Sequence, residues 1–377
     1  MQPNKANPVR LILVAAALCL AVAACLAEAS HAQRGGRDRN DSLAEAGLQK
    51  GIALTRSGKF QEAIPHFLAA RGQVRDEYAV TFNLALCYLA TGQYPRSIEL
   101  LNELRSRGRA NADVENLLAQ SLLGNGQPEE AFAAVERAAR LRPKNEKLYL
   151  FISEACMDSG YHEIGLRVAE MGLKHLPRSA RLVFERAMLL AKLDRLDEAK
   201  QDLEKVTTLD PGSDVAYIAA AQKHLFEGNV RDAVSVAREG IRKGKQHTML
   251  LALYGEAVMQ FGMEPGDEQF AEARAALERA VAERPSYASA QIALGKLYLM
   301  EGRLDDSVAH LNAARQLDPQ NPAVYSNLAT AFRRQGNVAQ AEEMLAILAR
   351  INQEQVERIR SAPGDRKPGY AAKPPSQ

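Results

Sequence analysis

The residues best suited to chemistry in this sequence do not fall into a catalytic spacing. His162-Glu163 begins as a zinc-hydrolase helix would, but Leu166 stands where the second histidine of HExxH should be. The seven histidines are scattered, and there is no Gly-x-Ser-x-Gly, P-loop or paired Cys-x-x-Cys. Acid pairs such as Asp305-Asp306 and Glu342-Glu343 read as solvated helix surface. Glu264, Asp267 and Glu268 gather in QFGMEPGDEQFAEA (260–273), yet the alternating acids of a calcium loop are missing. The expectation is a non-enzymatic chain with no catalytic residue, no metal ligands and no cofactor.

Four cysteines raise questions of compartment rather than catalysis. Cys19 and Cys25 lie in an uncharged apolar run, Leu11 to Leu26, that follows Lys5 and Arg10. That run is 16 residues, short of the ~20 a spanning helix needs, and it reads as an export signal over residues 1–32. Ser30-His31-Ala32 offers small side chains for cleavage before Gln33. Within the same run, Val22-Ala23-Ala24-Cys25 resembles a bacterial lipobox, and cleavage before Cys25 would leave that cysteine lipidated. Both readings predict export, to the periplasm or beyond, and lipidation at Cys25 is the one membrane tether expected. Removing residues 1–32 takes Lys5, Arg10 and Glu28 and leaves a formal charge of +1, so nothing points to nucleic acid or an anionic membrane. Cys87 and Cys156 remain, and an oxidising compartment would invite them to pair.

The elements that must carry these residues repeat. A Gly followed five residues later by a small residue recurs in SGKFQEA (Gly58, Ala63), TGQYPRS (Gly92, Ser97), NGQPEEA (Gly126, Ala131) and SGYHEIG (Gly160, Gly165). It continues in LDRLDEA (Asp194, Ala199), EGNVRDA (Gly228, Ala233), EGRLDDS (Gly302, Ser307) and QGNVAQA (Gly336, Ala341). Successive anchors are 34 residues apart from Gly58 through Gly262, and again from Gly302 to Gly336; only Gly262 to Gly302 departs, at 40. Each unit reads as two amphipathic helices of about 14 residues with a glycine suited to the left-handed position that ends the first.

This period and pattern resemble the tetratricopeptide repeat. The family's small position in the first helix falls on Gly51, Ala85, Ala119, Ser153, Ala187, Ala221, Gly255, Gly295 and Ala329. Its proline after the second helix is met by Pro143, Pro177, Pro211, Pro285 and Pro319, and missed at Arg75, Arg109, Lys245 and Gln353. Its tryptophan is replaced by residues such as Tyr149, Tyr217 and Tyr325. The resemblance implies an all-α, right-handed α-solenoid of about nine helix-turn-helix repeats over residues 44–355. Leu84, Leu118, Leu294 and Leu328 on first helices are expected to meet Phe67, Leu101, Leu203, Leu277, Leu311 and Leu345 on second helices. Residues 33–43 are expected to be a flexible linker, and 356–377 a helical extension followed by a disordered tail. In this register Cys87 and Cys156 lie two repeats apart on buried faces, out of disulfide reach. The interruption at 260–273 becomes six extra residues, about 263–268, in the turn of repeat 7.

By the same resemblance, first helices line a concave groove that holds an extended peptide or a partner's helix. The positions implied are Phe82, Asn83, Leu86 and Leu89, then Asn116 and Gln120, then Lys147, Leu150 and Glu154. They continue with Phe184 and Met188, Ile218 and Gln222, Ile292 and Lys296, and Asn327 and Arg333. Asn83 and Asn327 match the asparagine with which family members hold a peptide backbone, an amide being both donor and acceptor. Leu48 and Ile52 occupy two positions of the carboxylate clamp of chaperone-binding members, so that clamp is not expected. The function implied is a protein–protein interaction scaffold of the bacterial cell envelope. The alternative is an accessory subunit of an envelope enzyme, or of a secretion or surface-structure assembly complex.

Overall fold

The computed structural model describes residues 38–361 and is entirely helical among them, with 18 helices and no strand. In chain order the first thirteen are α1 (Asp38–Arg56), α2 (Phe60–Ala70), α3 (Glu77–Ala90), α4 (Tyr94–Ser106), α5 (Ala112–Gly124), α6 (Pro128–Leu141), α7 (Glu146–Asp158), α8 (His162–His175), α9 (Ala180–Lys192), α10 (Leu196–Leu209), α11 (Asp214–Phe226), α12 (Val230–Arg242) and α13 (Thr248–Phe261). The remaining five are α14 (Glu268–Glu283), α15 (Ala288–Glu301), α16 (Leu304–Leu317), α17 (Pro322–Arg334) and α18 (Val338–Ser361). Odd helices through α13 open repeats 1 to 7, and each packs on the even helix that follows it in repeats 1 to 6. This is the architecture of an α-solenoid of tetratricopeptide type.

Outside repeat 7, the turn between paired helices closes in one way. A residue at positive φ follows each first helix, Gly58 at 74° and Gly336 at 83° among them. The next N–H then reaches back five residues: Lys59 to Leu54 O at 2.9 Å, Gln93 to Tyr88 O at 2.7 Å, and Asn337 to Phe332 O at 2.8 Å. This is Schellman closure, which satisfies a carbonyl the helix would otherwise leave open. Asp194, at φ 58°, takes the glycine's place in repeat 5 and is the one non-glycine at positive φ among the described residues.

Small residues then let the helix pair close up. All nine small positions of the first helices are buried. Where the second helix offers serine, its hydroxyl donates to the carbonyl of the first helix's small residue: Ser97 Oγ to Ala85 O at 2.8 Å and Ser307 Oγ to Gly295 O at 2.7 Å. Ser153 makes the reverse bond to Gly165 O at 3.2 Å. A Cβ on Gly295 would sit 2.7 Å from Leu311 Cγ, so the close approach excludes even a methyl group there. Pro143 and Pro319 are tied in by side chains six residues later, Tyr149 and Tyr325, whose hydroxyls donate to the proline carbonyls at 2.9 and 2.8 Å.

Leu84, Leu118, Leu294 and Leu328 are buried with Phe67, Leu101, Leu203, Leu277 and Leu311, as the register requires. Leu345 is not: it is 38 % exposed, because among the described residues no further helix packs over α18. Cys87 and Cys156 are both buried and unbridged. One boundary also differs from expectation. Helix α1 already covers Asp38 to Ser42, inside the stretch read as linker. At the other end α18 runs on to Ser361, into the stretch expected to be a helical extension, with Ile351 buried and Val356 exposed. Cys25, Gln33 and the residues after Ser361 lie outside the described residues.

The chain parts into two compact units inside repeat 7, one ending at Phe261 and the other beginning at Gly262. The enlarged turn at this junction closes on itself. Glu264 N–H donates to Asp267 Oδ2 at 2.9 Å and Asp267 N–H to Glu264 O at 3.1 Å. Gly266 reaches φ 115° to allow it.

Candidate functional site

Within the first unit, consecutive first helices touch one another: α1 with α3, α3 with α5, and so on to α13. Among second helices, α6 and α8 show comparable proximity. The first helices therefore form the inner, closer-packed face of this unit. Its surface carries the residues not consumed by packing.

The sequence-based groove positions divide by burial. Phe82, Leu86, Leu89, Asn116, Gln120, Phe184 and Ile218 are buried, Leu89 and Gln120 to 1 % exposure. These seven mainly hold the stack together. Phe82 stacks on Tyr78 at 5.8 Å between ring centres. Gln120 Nε2 donates to Asn116 Oδ1 at 3.2 Å, while Gln120 Oε1 finds no partner. Asn83, Leu150, Glu154, Met188 and Gln222 are half-buried and Lys147 is exposed, so packing does not consume their side chains. Asn83 has its Nδ2 donating to Ala79 O of its own helix at 2.8 Å.

In the second unit, Ile292 packs against the cluster of Leu311, Leu328 and Phe332. Asn327 is half-buried, and Lys296 and Arg333 are exposed. α15 and α17 touch each other, as first helices do in the first unit.

One residue of the inner face went unnoticed in the sequence. Glu185 on α9 stands two residues before the small Ala187, the same repeat position as Asn83 before Ala85 and Asn327 before Ala329. Aligning that column alone would have found it. Its Oε1 is buried without a hydrogen-bond partner. Burial, with the like charges of Glu154 and Asp158 on α7, pushes its carboxyl up to about 8. At neutral pH Glu185 therefore keeps its proton and offers one O–H donor and one carbonyl acceptor, as an amide would. Cys156, on α7 beside it, is pushed up to about 12 by burial and by the charge of Glu185, which leaves it an unreactive thiol.

Elsewhere the ionic contacts are structural. Arg186 grips the buried Asp202 with two bonds of 2.6 Å, and Arg105 and Arg137 both hold buried Glu115 at 3.2 and 2.9 Å. Among the described residues no three His, Cys, Asp or Glu stand together to hold a metal, and no helix is long and apolar enough to cross a membrane.

Comparison with known proteins agrees with this geometry. Three family models described as tetratricopeptide repeat match residues 54–121 and 298–362, residues 180–213, and residues 266–322, together more than half of the chain. The chain is 22 % identical over 303 residues to DnaJ homolog subfamily C member 3 of Homo sapiens, covering 76 % of this chain and 55 % of that protein. It is 21 % identical over 277 residues to the TPR repeat-containing protein YpiA of Bacillus subtilis (strain 168), covering 73 % and 56 %. The chain thus spans little more than half the length of these relatives. Among solved structures, a chain of the APC/C hetero-tetramer Cut9–Hcn1 is similar in fold, with a TM-score of 0.50 and 14 % identity over 93 % of this chain and 67 % of that one. The matched models name an interaction fold rather than a catalytic family. With helix pairs at a 34-residue period, small residues at every crossing and these matches along its length, the chain belongs to the tetratricopeptide repeat family.

Proposed function

We propose that this protein is a non-enzymatic scaffold of the bacterial cell envelope that holds an extended peptide segment of a partner protein against the first helices of its N-terminal unit. The observation that carries this reading is the continuous inner face on which Asn83 and Glu185 occupy one repeat position and both offer donor and acceptor groups. A peptide strand has a backbone N–H and C=O to satisfy at each residue, and such side chains pair with both. Leu150 and Met188, half-buried nearby in the register, supply apolar contact for alternate side chains. Export follows from the signal in residues 1–32, with cleavage before Gln33 or lipidation at Cys25.

Photo-crosslinking tests the first part. A benzoyl-phenylalanine placed at Met188 or Gln222, in the full chain in envelope extracts, is expected to label one common partner. The same probe at Glu130, exposed on second helix α6, should not label it. Equal labelling from Glu130, or none from Met188 and Gln222, refutes the inner-face reading. For export, the mass of the mature N-terminus should correspond to Gln33 or to lipidated Cys25, and a retained Met1 refutes it.

A further inference from the structure

We propose that a second site, at the loops joining repeats 1, 2 and 3, binds a phosphate-like oxyanion between Arg75 and Arg109. These arginines replace the family's proline in two consecutive repeats, exactly one period apart, in the loops before α3 and α5. The stack brings both onto one cavity of about 470 Å³, which Tyr78 and Arg107 also line.

The carboxylates around this cavity are already engaged. Asp76 Oδ1 accepts the Ala79 N–H at 2.9 Å and caps α3, and Glu77 Oε1 accepts the Gly72 N–H at 2.7 Å. Glu103 is shared between Arg71 at 2.5 Å and Arg107 at 2.9 Å. Asp113 holds Arg142 at 3.1 Å. Arg75 and Arg109 make no ion pair with any of them. The Tyr78 hydroxyl oxygen accepts from Asn111 Nδ2 at 2.8 Å, which leaves the phenol hydrogen for a further acceptor. Burial holds that phenol above its ordinary pKa, so it stays a donor.

Two guanidiniums and a phenol thus offer donors to one void, beside Arg107, whose charge is held by Glu103. An oxyanion with several acceptor oxygens matches that array, since guanidinium forks pair with phosphate through parallel N–H bonds. An apolar ligand would leave the donors unpaired. Because the arginines are exposed, binding should weaken as salt is raised. This site does not depend on the inner face and stands or falls separately from it.

Isothermal titration of the full chain with inorganic phosphate at low ionic strength tests the site. The expected result is saturable binding that weakens at least about ten-fold in the R75Q/R109Q double variant. It should tighten several-fold in E103Q, which removes the carboxylate held by Arg71 and Arg107. Co-sedimentation with phosphatidic acid vesicles, with and without competing phosphate, distinguishes a lipid phosphate from a soluble one. Both arginines lie in exposed loops, so the double variant should keep the wild-type circular-dichroism melt. Absence of saturable phosphate binding, or binding unchanged in a folded R75Q/R109Q variant, overturns the proposal.

Discussion

Glu185 makes the stability of the N-terminal unit depend on pH in an unusual direction. Its carboxyl stands at about 8 in the fold against an ordinary 4.5. Below pH 4.5 the folded and unfolded states both hold the proton, and the residue adds no penalty. Between 4.5 and 8 the unfolded state ionises while the folded state does not, so stability falls as pH rises, by about 1.4 kcal/mol per pH unit. Above pH 8 the loss is complete, on the order of 5 kcal/mol. The groups that face this carboxyl are Glu154, Asp158 and Cys156, all on α7. Glu185→Gln is neutral at every pH and removes the slope. Hydrogen-exchange mass spectrometry on peptides of α7 and α9 reads the local opening free energy, which suits a repeat stack better than one global midpoint. Wild type and variant should agree near pH 4.5. By pH 8 the variant should hold α9 more stably by about 4 kcal/mol. Glu154→Gln should keep the slope but end the fall at a lower pH with a smaller total loss, because it removes one of the two like charges that raise the carboxyl. Equal slopes in wild type and Glu185→Gln would refute the assignment of a retained proton.

Four further outcomes follow from packing and burial. Gly58→Ala meets open space, so its cost is that of the left-handed backbone alone, about 1–2 kcal/mol, read as a lowered melting temperature. Gly295→Ala has negative values of φ to work with but drives its methyl into Leu311, and overpacking of this kind costs about 1–3 kcal/mol in a urea titration. Asp202→Ala leaves the Arg186 guanidinium without its bidentate partner and should destabilise the α9–α10 pair by about 3 kcal/mol, with exchange in those helices rising accordingly. Cys156, protonated and sealed, should resist a thiol reagent at pH 8 in the native protein and react once urea unfolds it; rapid native labelling would contradict its burial.

Much of this protein was legible from one dimension. A period of 34, a glycine at each turn and a small residue at each crossing are local requirements of closely packed helix pairs, so they print directly into the sequence. They determined the register, the burial of Ala85 and Gly295, and the separation of Cys87 from Cys156. The tertiary structure decided what a repeating pattern leaves equivalent. Leu345 shares a column with Leu101 and Leu311, yet it is exposed because nothing packs over α18 among the described residues. Asn116 and Gln120 read as groove residues, yet they are buried against each other. Glu185 and Asn83 share one column, but only the packing of α7 on α9 surrounds Glu185 with like charge and apolar atoms and so keeps its proton. The six residues added in repeat 7 look like a swelling of one turn, whereas the contacts part the chain there into two compact units. Sequence period specifies which residues pack within a repeat; desolvation, charge and the ends of each stack depend on neighbours distant in the chain, and only the folded arrangement supplies them.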